Sequence, residues 1–304
     1  MKILVTGATG FIGSAIANCL TESGHSVIGL SRNPPACVSS SAKSHPITWI
    51  KGNLDEDTAI FVKPLKPDAC IHAAWIATPG EYLDSPQNDF LVTQSGGFLK
   101  SLETVGVGKM IVLGTCAEYD STLGTPLSES TTPLLPQSHY ARAKIRLYRF
   151  LKQELEQTTS LCWARIFFPY GRGEDPRRLP SWLIRRFSQG KTAGLKTPEN
   201  VNDYIHVSDV ARAIVLALEK GFRGPLNVGT GLGITVRELA MKIAAQMECP
   251  QLLSGLLSKP DIEPVKLVAD NRRLHSLGWT PSILLEGGLR ELIETIRDHR
   301  KTIG

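Results

Sequence analysis

Long apolar runs are missing from this chain. None approaches the ~20 residues that a membrane-spanning helix needs, so no such helix is expected. The opening MKILVTGATGFIG is apolar but lacks a signal-peptide cleavage region, and is read instead as a first β-strand. The six cysteines, Cys19, Cys37, Cys70, Cys116, Cys162 and Cys249, form no CxxC pair, and no histidine spacing suggests zinc. No metal site is expected, and free thiols in a reducing, cytoplasmic setting are. There is no long lysine–arginine tract. The net charge of +5 is mild, which argues against a nucleic-acid partner and is compatible with a small polyanionic substrate. No internal repeat is visible. With 304 residues, 42% hydrophobic and 21% charged, the chain can bury a full core in one large domain or two smaller ones.

What the chain does have is strand and helix in alternation. Lys2–Gly7 is short and fully apolar, as in a parallel sheet covered on both faces. Further strands are expected at Ser26–Ser31, Ile47–Gly52, Ala69–Ala74, Lys109–Thr115 and Leu161–Phe168, with helices near 90–105 and 140–157. Such βαβ units imply an α/β fold with a doubly wound, parallel, Rossmann-type sheet. After Phe168 a loop rich in proline, glycine and charge breaks the pattern. A helix near 181–189, a strand at Pro225–Thr230, a helix from about Thr235 to Met247 and a last helix follow. The expected division is residues 1–168 plus about 203–230 as a nucleotide-binding domain. Residues 169–202 plus 231–304 would form a smaller, interleaved substrate-binding lobe.

GATGFIG places Gly7, Gly10 and Gly13 at three-residue spacing between the first strand and the first helix. Glycines there let the backbone approach a pyrophosphate, and the helix N-terminus favours its charge. The spacing is GxxGxxG, not GxGxxG, and a tight turn that merely permits close packing is the alternative. YARAK sets Tyr140 four residues before Lys144, on one face of a helix.

These pieces occur in one order with IHAAW, GTCAEY, ARIFFPYGRG, NDYIHVSDVARA, LNVGTG and LGWTP. Together they resemble an extended short-chain dehydrogenase/reductase of the nucleotide-sugar epimerase/dehydratase branch, nearly end to end. The resemblance implies a catalytic set of Thr115, Tyr140 and Lys144. Tyr140 would donate or accept the proton, Lys144 would favour its phenolate and Thr115 would hold the substrate oxygen. For Thr115, a strand-end hydroxyl that caps its own loop is the alternative. Cofactor contacts are implied at Gly7, Thr9, Gly10, Phe11, Ile12, Gly13, Ser31, Arg32, Asn53, Leu54, Ala73, Ala74 and Phe167, together with Tyr140 and Lys144. Ser31 stands where similar proteins often carry Asp, and Arg32 follows it. Loss of the carboxylate and gain of a guanidinium favour NADP(H) over NAD.

Four departures from the family pattern matter. Cys116 and Ala117 replace the Asp–Glu pair of the dehydratases, and Glu118 falls one place too late to assume that role. Asn202 replaces an arginine, Phe168 replaces an asparagine, and Leu91 stands where a structural asparagine aligns. Asn88 is nearby but is not assigned to that job. Substrate contacts are expected from Trp75, Thr115, Glu118, Phe168, Arg172 and Lys259. For Arg165, Arg172 and Lys259, contact with a diphosphate competes with a solvated charge or an internal ion pair, and Trp279 is read as packing. The activity implied is NADPH-dependent reduction of a nucleotide-diphosphate 4-keto-6-deoxy sugar, as in the 4-ketoreductases of deoxysugar pathways. An NAD-dependent 4-epimerase and a non-catalytic nucleotide sensor are the alternatives. A homodimer built from helices 90–105 and 140–157 is also implied. Phe98, Leu102, Leu147 and Leu151 would serve either that seam or the covering of the sheet.

Overall fold

The structure, a computed structural model, describes residues 1–35, 47–124, 126–253 and 263–303. Lys259 and Cys37 lie outside the described residues. In chain order the first half runs β1 (Lys2–Thr6), α1 (Phe11–Glu22), β2 (Ser26–Ser31), β3 (Thr48–Lys51), α2 (Glu56–Val62), β4 (Ala69–His72), α3 (Gln87–Thr104), β5 (Lys109–Thr115) and α4 (His139–Leu155). The second half runs β6 (Ser160–Ile166), β7 (Phe168–Tyr170), α5 (Leu179–Phe187), β8 (Val201–Asn202), β9 (Tyr204–His206), α6 (Val207–Glu219) and β10 (Gly224–Val228). It ends with β11 (Ile234–Thr235), α7 (Val236–Gln246), β12 (Lys266–Leu267), α8 (Arg272–Ser276) and α9 (Leu285–Ile303).

Seven strands form one parallel sheet in the order β10-β6-β5-β4-β1-β2-β3. This is the expected Rossmann-type α/β fold. Alternate residues of β1 feed the two faces, as strand geometry requires. Ile3 and Val5 pack with Ile16 and Leu20 of α1 and Ile214 of α6. Leu4 faces the opposite layer, with Val62 of α2, Leu99 of α3 and Leu151 of α4. Strands buried on both sides must be apolar throughout, which is why they read as short continuous runs.

Strand order reverses between β1 and β4, and a crevice opens there at the carboxyl ends of the strands. The stretch expected as one strand to Phe168 is split. β6 ends at Ile166, and Phe168–Tyr170 pairs with β9 in a separate two-stranded sheet. Pro169 has no N–H with which to continue the first ladder. A third cluster joins α5, α7 and α9 through Leu183, Ile184, Leu239, Ile243, Leu289 and Leu292. Leu274 and Trp279 pack in the core between the sheet and α1 and α6, away from that cluster. The Trp279 indole N–H donates to the Asp209 carbonyl at 3.2 Å, so it serves packing.

Phe98, Leu102, Leu147 and Leu151 are all buried in the layer under the sheet. Of their two expected roles, the structure gives them the covering of the sheet. Polar bridges tie α3 to α4. Asp89 pairs with His139 at 2.9 Å and with Arg146, and Lys100 pairs with Glu154 at 2.5 Å.

The first turn has no slack. A Cβ on Gly13 would fall on the carbonyl of Gly7, and one on Gly7, whose φ is +66°, would lie 2.8 Å from Ala74. Gly13→Ala is expected to cost about 1–3 kcal/mol or more, because backbone rather than a flexible side chain must move. Urea unfolding checks this; a loss under ~0.5 kcal/mol would show that the turn is adaptable.

Candidate active site

A cleft of about 730 Å³ lies at the strand-order reversal. Its floor is the glycine turn with the segment after β4, and its rim is the end of β2. Gly7, Thr9, Gly10, Ser31, Arg32, Asn53, Leu54, Ala73 and Ala74 all line it. Phe11, Ile12 and Gly13 belong to the first turn of α1 behind it. Gly10 is the N-cap of α1 and offers no capping side chain, and the first turn holds no acidic residue. That leaves a helix terminus suited to an anion. At the rim, the Ser31 hydroxyl bonds Thr9 Oγ1 at 3.2 Å and accepts from Asn33 N at 3.2 Å. No carboxylate stands at that point, and Arg32 is exposed beside it. The residues present fit a dinucleotide: a glycine cradle that any Cβ would fill, a helix N-terminus, and a cationic rim.

Phe167 is placed differently from expectation. Its side chain is buried with Cys116, Tyr119, Leu127 and Ala269 and does not line the cleft. Strand β6 has ended just before it, and its N–H donates to Val228 O at 3.1 Å, which turns the ring inward.

Thr115, Tyr140 and Lys144 meet beyond the inner end of the cleft. Thr115 is the last residue of β5. Tyr140 and Lys144 lie one turn apart on α4, whose N-cap Ser138 accepts from Ala141 N at 3.1 Å. Tyr140 N donates to Leu83 O at 2.9 Å, tying the helix start to the segment before α3. The Thr115 hydroxyl lies near enough to the Tyr140 phenol to favour its ionised form. Thr115 also accepts from Ala117 N at 3.3 Å in a capping box with Glu118, so the capping alternative holds as well. Burial, followed by the neighbouring Tyr82, Glu118 and Cys116, pushes the phenol up, while the Thr115 hydroxyl pulls the other way. The ring is therefore held as a protonated donor.

Lys144 is 3% exposed. Its Nζ donates to Leu113 O at 2.8 Å and sits 3.8 Å from the centre of the Trp75 ring. Burial lowers its pKa to about 7, and the charge of Glu118 resists that fall. Trp75 lines the cleft, so its indole stands between the cleft and the lysine. Its N–H donates to Asn88 Oδ1 at 2.9 Å, and Asn88 Nδ2 donates to the carbonyls of Tyr82 and Ser85. Asn88 thus ties the Trp75 indole to the segment before α3.

Glu118 does not face the cleft. Its carboxylate is 0% exposed and accepts from Thr115 N, Trp163 Nε1 and Arg165 Nε. Arg165 is consumed by that internal ion pair at 2.7 Å, not free to meet a diphosphate. A buried carboxylate needs every acceptor position filled, and these partners fill them. Phe168 is half-buried against Tyr204, with ring centroids 5.7 Å apart. Arg172 is exposed on the loop after β7. Asn202 donates to the Tyr204 hydroxyl at 3.1 Å. Sequence reasoning missed Tyr82, whose ring meets Tyr140 edge-on at 4.9 Å. It missed the face of α3 that closes the cleft through Gln87, Phe90, Leu91 and Gln94. It also missed Arg178, whose guanidinium lies 5.9 Å from the Phe11 ring. None of these belongs to a spaced motif.

A glycine-cradled crevice beside a Thr–Tyr–Lys set on a seven-stranded parallel sheet defines an extended short-chain dehydrogenase/reductase. Residues 3–229 match the model of the NAD dependent epimerase/dehydratase family, and the chain belongs to that family. It is 29% identical to a UDP-glucose 4-epimerase of Mycolicibacterium smegmatis, over 98% of this chain and 99% of that one. It is 27% identical to a dTDP-4-dehydro-6-deoxyglucose reductase of Escherichia coli, over 97% of each. Its fold matches the Thermus thermophilus UDP-glucose 4-epimerase, solved with NAD. The TM-score is 0.81 at 26% identity, covering 98% of this chain and 99% of that one.

The lysine makes stability depend on pH in a defined direction. Its pKa in the folded protein, about 7, is below the ~10.4 of an unfolded lysine. Between those values the unfolded chain binds more protons, so stability rises with pH across that window. Below pH 7 the folded protein bears the full burial cost. Lys144→Met is therefore expected to stabilise the unliganded protein by at least ~1 kcal/mol at pH 6. The gain should shrink between pH 7 and about 10. Thermal melts of both proteins across pH check it; a difference that does not vary with pH would rule out a depressed lysine.

Proposed function

We propose that this chain is an NADP(H)-dependent reductase of the 4-keto group of a nucleotide-diphosphate 4-keto-6-deoxy sugar. The observation that carries this reading is the pair of residues after Thr115. Dehydration needs an acid to expel the C6 hydroxyl and a base to take the C5 proton. Here Cys116 is buried with its thiol pushed up by that burial, and Ala117 has no ionisable group. Ketone reduction asks for less: a held oxygen, one proton and a hydride. Bound NADPH would supply the hydride. Thr115 and Tyr140 would hold the carbonyl oxygen, and Tyr140 would give it the proton. The ammonium of Lys144 would then stabilise the phenolate left behind. Ser31 and Arg32 at the cleft rim support the phosphorylated cofactor. Five described cysteines are free, which supports a cytoplasmic setting.

The second reading, a 4-epimerase with resident NAD, is favoured by the likeness to UDP-glucose 4-epimerases. One assay separates the two. NADPH consumption with a 4-keto-6-deoxy nucleotide sugar, giving a product two hydrogens heavier, is the expected result. Isomerisation at constant mass without added NADPH would establish the epimerase instead. Tyr140→Phe is expected to lower turnover by at least ~10² with NADPH binding retained. Arg32→Ala is expected to weaken NADPH binding by roughly 1.5–3 kcal/mol, the scale of a hydrogen bond to a charged group. NADH binding should change little. Equal losses for both cofactors in a titration would place Arg32 away from the 2′-phosphate.

A further inference from the structure

Behind the catalytic set lies an ion pair that no step of the proposed reaction uses. Glu118 sits in the turn that follows β5, three residues after Thr115. One carboxylate oxygen accepts from Thr115 N at 2.8 Å, and the other from Arg165 Nε at 2.7 Å. Both oxygens lie within 3.1 Å of Trp163 Nε1. Arg165 Nη1 donates to the Tyr119 hydroxyl at 3.1 Å, which donates to Asn227 Oδ1 at 2.7 Å. The chain has made room for the carboxylate, because a Cβ on Gly114 would lie 2.6 Å from Glu118 Oε1. Removing either member of such a pair leaves an uncompensated buried charge, so its orientation is fixed.

We propose that Glu118, clamped by Arg165 and Trp163, is a positioning residue of this site. Its carboxylate fixes the backbone that presents the Thr115 hydroxyl, and its charge opposes the loss of the Lys144 proton that burial favours. The proposal rests on the acid–base reading of Tyr140. Among the described residues around the lysine, Glu118 is the negative charge that acts on it. His72 of β4 is neutral, its pKa lowered to about 3 by burial and by Lys144. Tyr82 and the Cys116 thiol are pushed up by burial, and so is Tyr140 on the same helix. Trp75 contributes an uncharged face.

The test follows Lys144 directly, by carbon NMR of lysine-labelled protein, with the resonance assigned by its loss in Lys144→Met. Glu118→Gln keeps an acceptor for Thr115 N but removes the charge. It is expected to lower the Lys144 midpoint by roughly one pH unit or more. Glu118→Asp keeps the charge but cannot reach Thr115 N. It should leave the midpoint in place and cut turnover by roughly tenfold or more, with NADPH affinity retained. An unmoved midpoint in Glu118→Gln, or unimpaired turnover in Glu118→Asp, overturns the proposal. Should Glu118→Gln fail to fold, Glu118→Asp decides alone: a shifted midpoint or normal turnover refutes it. The titration needs no sugar substrate, so a wild-type protein that reduces none would sink the proposed function while the NMR result still judged Glu118.

Discussion

The backbone at Gly7 lies so close to the segment after β4 that no side chain fits between them. That approach joins the two strands at which the sheet reverses its order, and the layout of the molecule follows from it. The turn must be glycine to pass, α1 must begin immediately behind it, and the crevice must open where the two loops part. The backbone of Ala73 and Ala74 forms the other wall of the contact. Thr6 then ties the two strands by side chain as well as backbone. Its hydroxyl bonds His72 Nδ1 at 2.9 Å and accepts from Ala74 N at 3.3 Å.

Around this frame the protein buries charge in two different ways. Glu118 and Arg165 are buried as a pair, with both carboxylate oxygens accepting and Arg165 donating to Glu118 and Tyr119. Asp203 is buried as a single carboxylate among donors. It accepts from Thr230, Gly231 and Ala269, and knits the segment after β10 to the chain that follows β12. Lys144 is the exception. It is buried over an aromatic face with one carbonyl acceptor, and its charge is correspondingly easy to lose. A structural site minimises such instability, whereas a site that must pass protons retains it.

Much of this was legible in the sequence because it rests on local chemistry. Strands covered on both faces must be continuously apolar. A turn with no room must be glycine, and two side chains on one helical face must be four apart. Those rules located the seven-stranded sheet, the cradle and the Tyr140–Lys144 face. What stayed hidden depends on partners that the chain brings from afar. Nothing in a linear reading couples Glu118 to Arg165, 47 positions later. The turn of Phe167 away from the cleft depends on Val228, contributed by the last strand of the sheet. Asn88 serves Trp75 only because the loop before α3 folds back over it. Leu274 and Trp279 read as part of a C-terminal lobe by position, yet the chain returns to lay them on the main core.

The indole of Trp75 rests on an amine whose proton is loosely held, and it forms part of the wall of the cleft. Of the five tryptophans in the chain, Trp163 and Trp279 are sealed in the core, and Trp75 alone of the five lines the cleft. A change in the charge of the lysine under its face, or an occupant at its edge, would alter the surroundings of its indole and so its light emission. Trp75 would thus give the molecule an optical reporter of its own where the cleft meets the buried lysine.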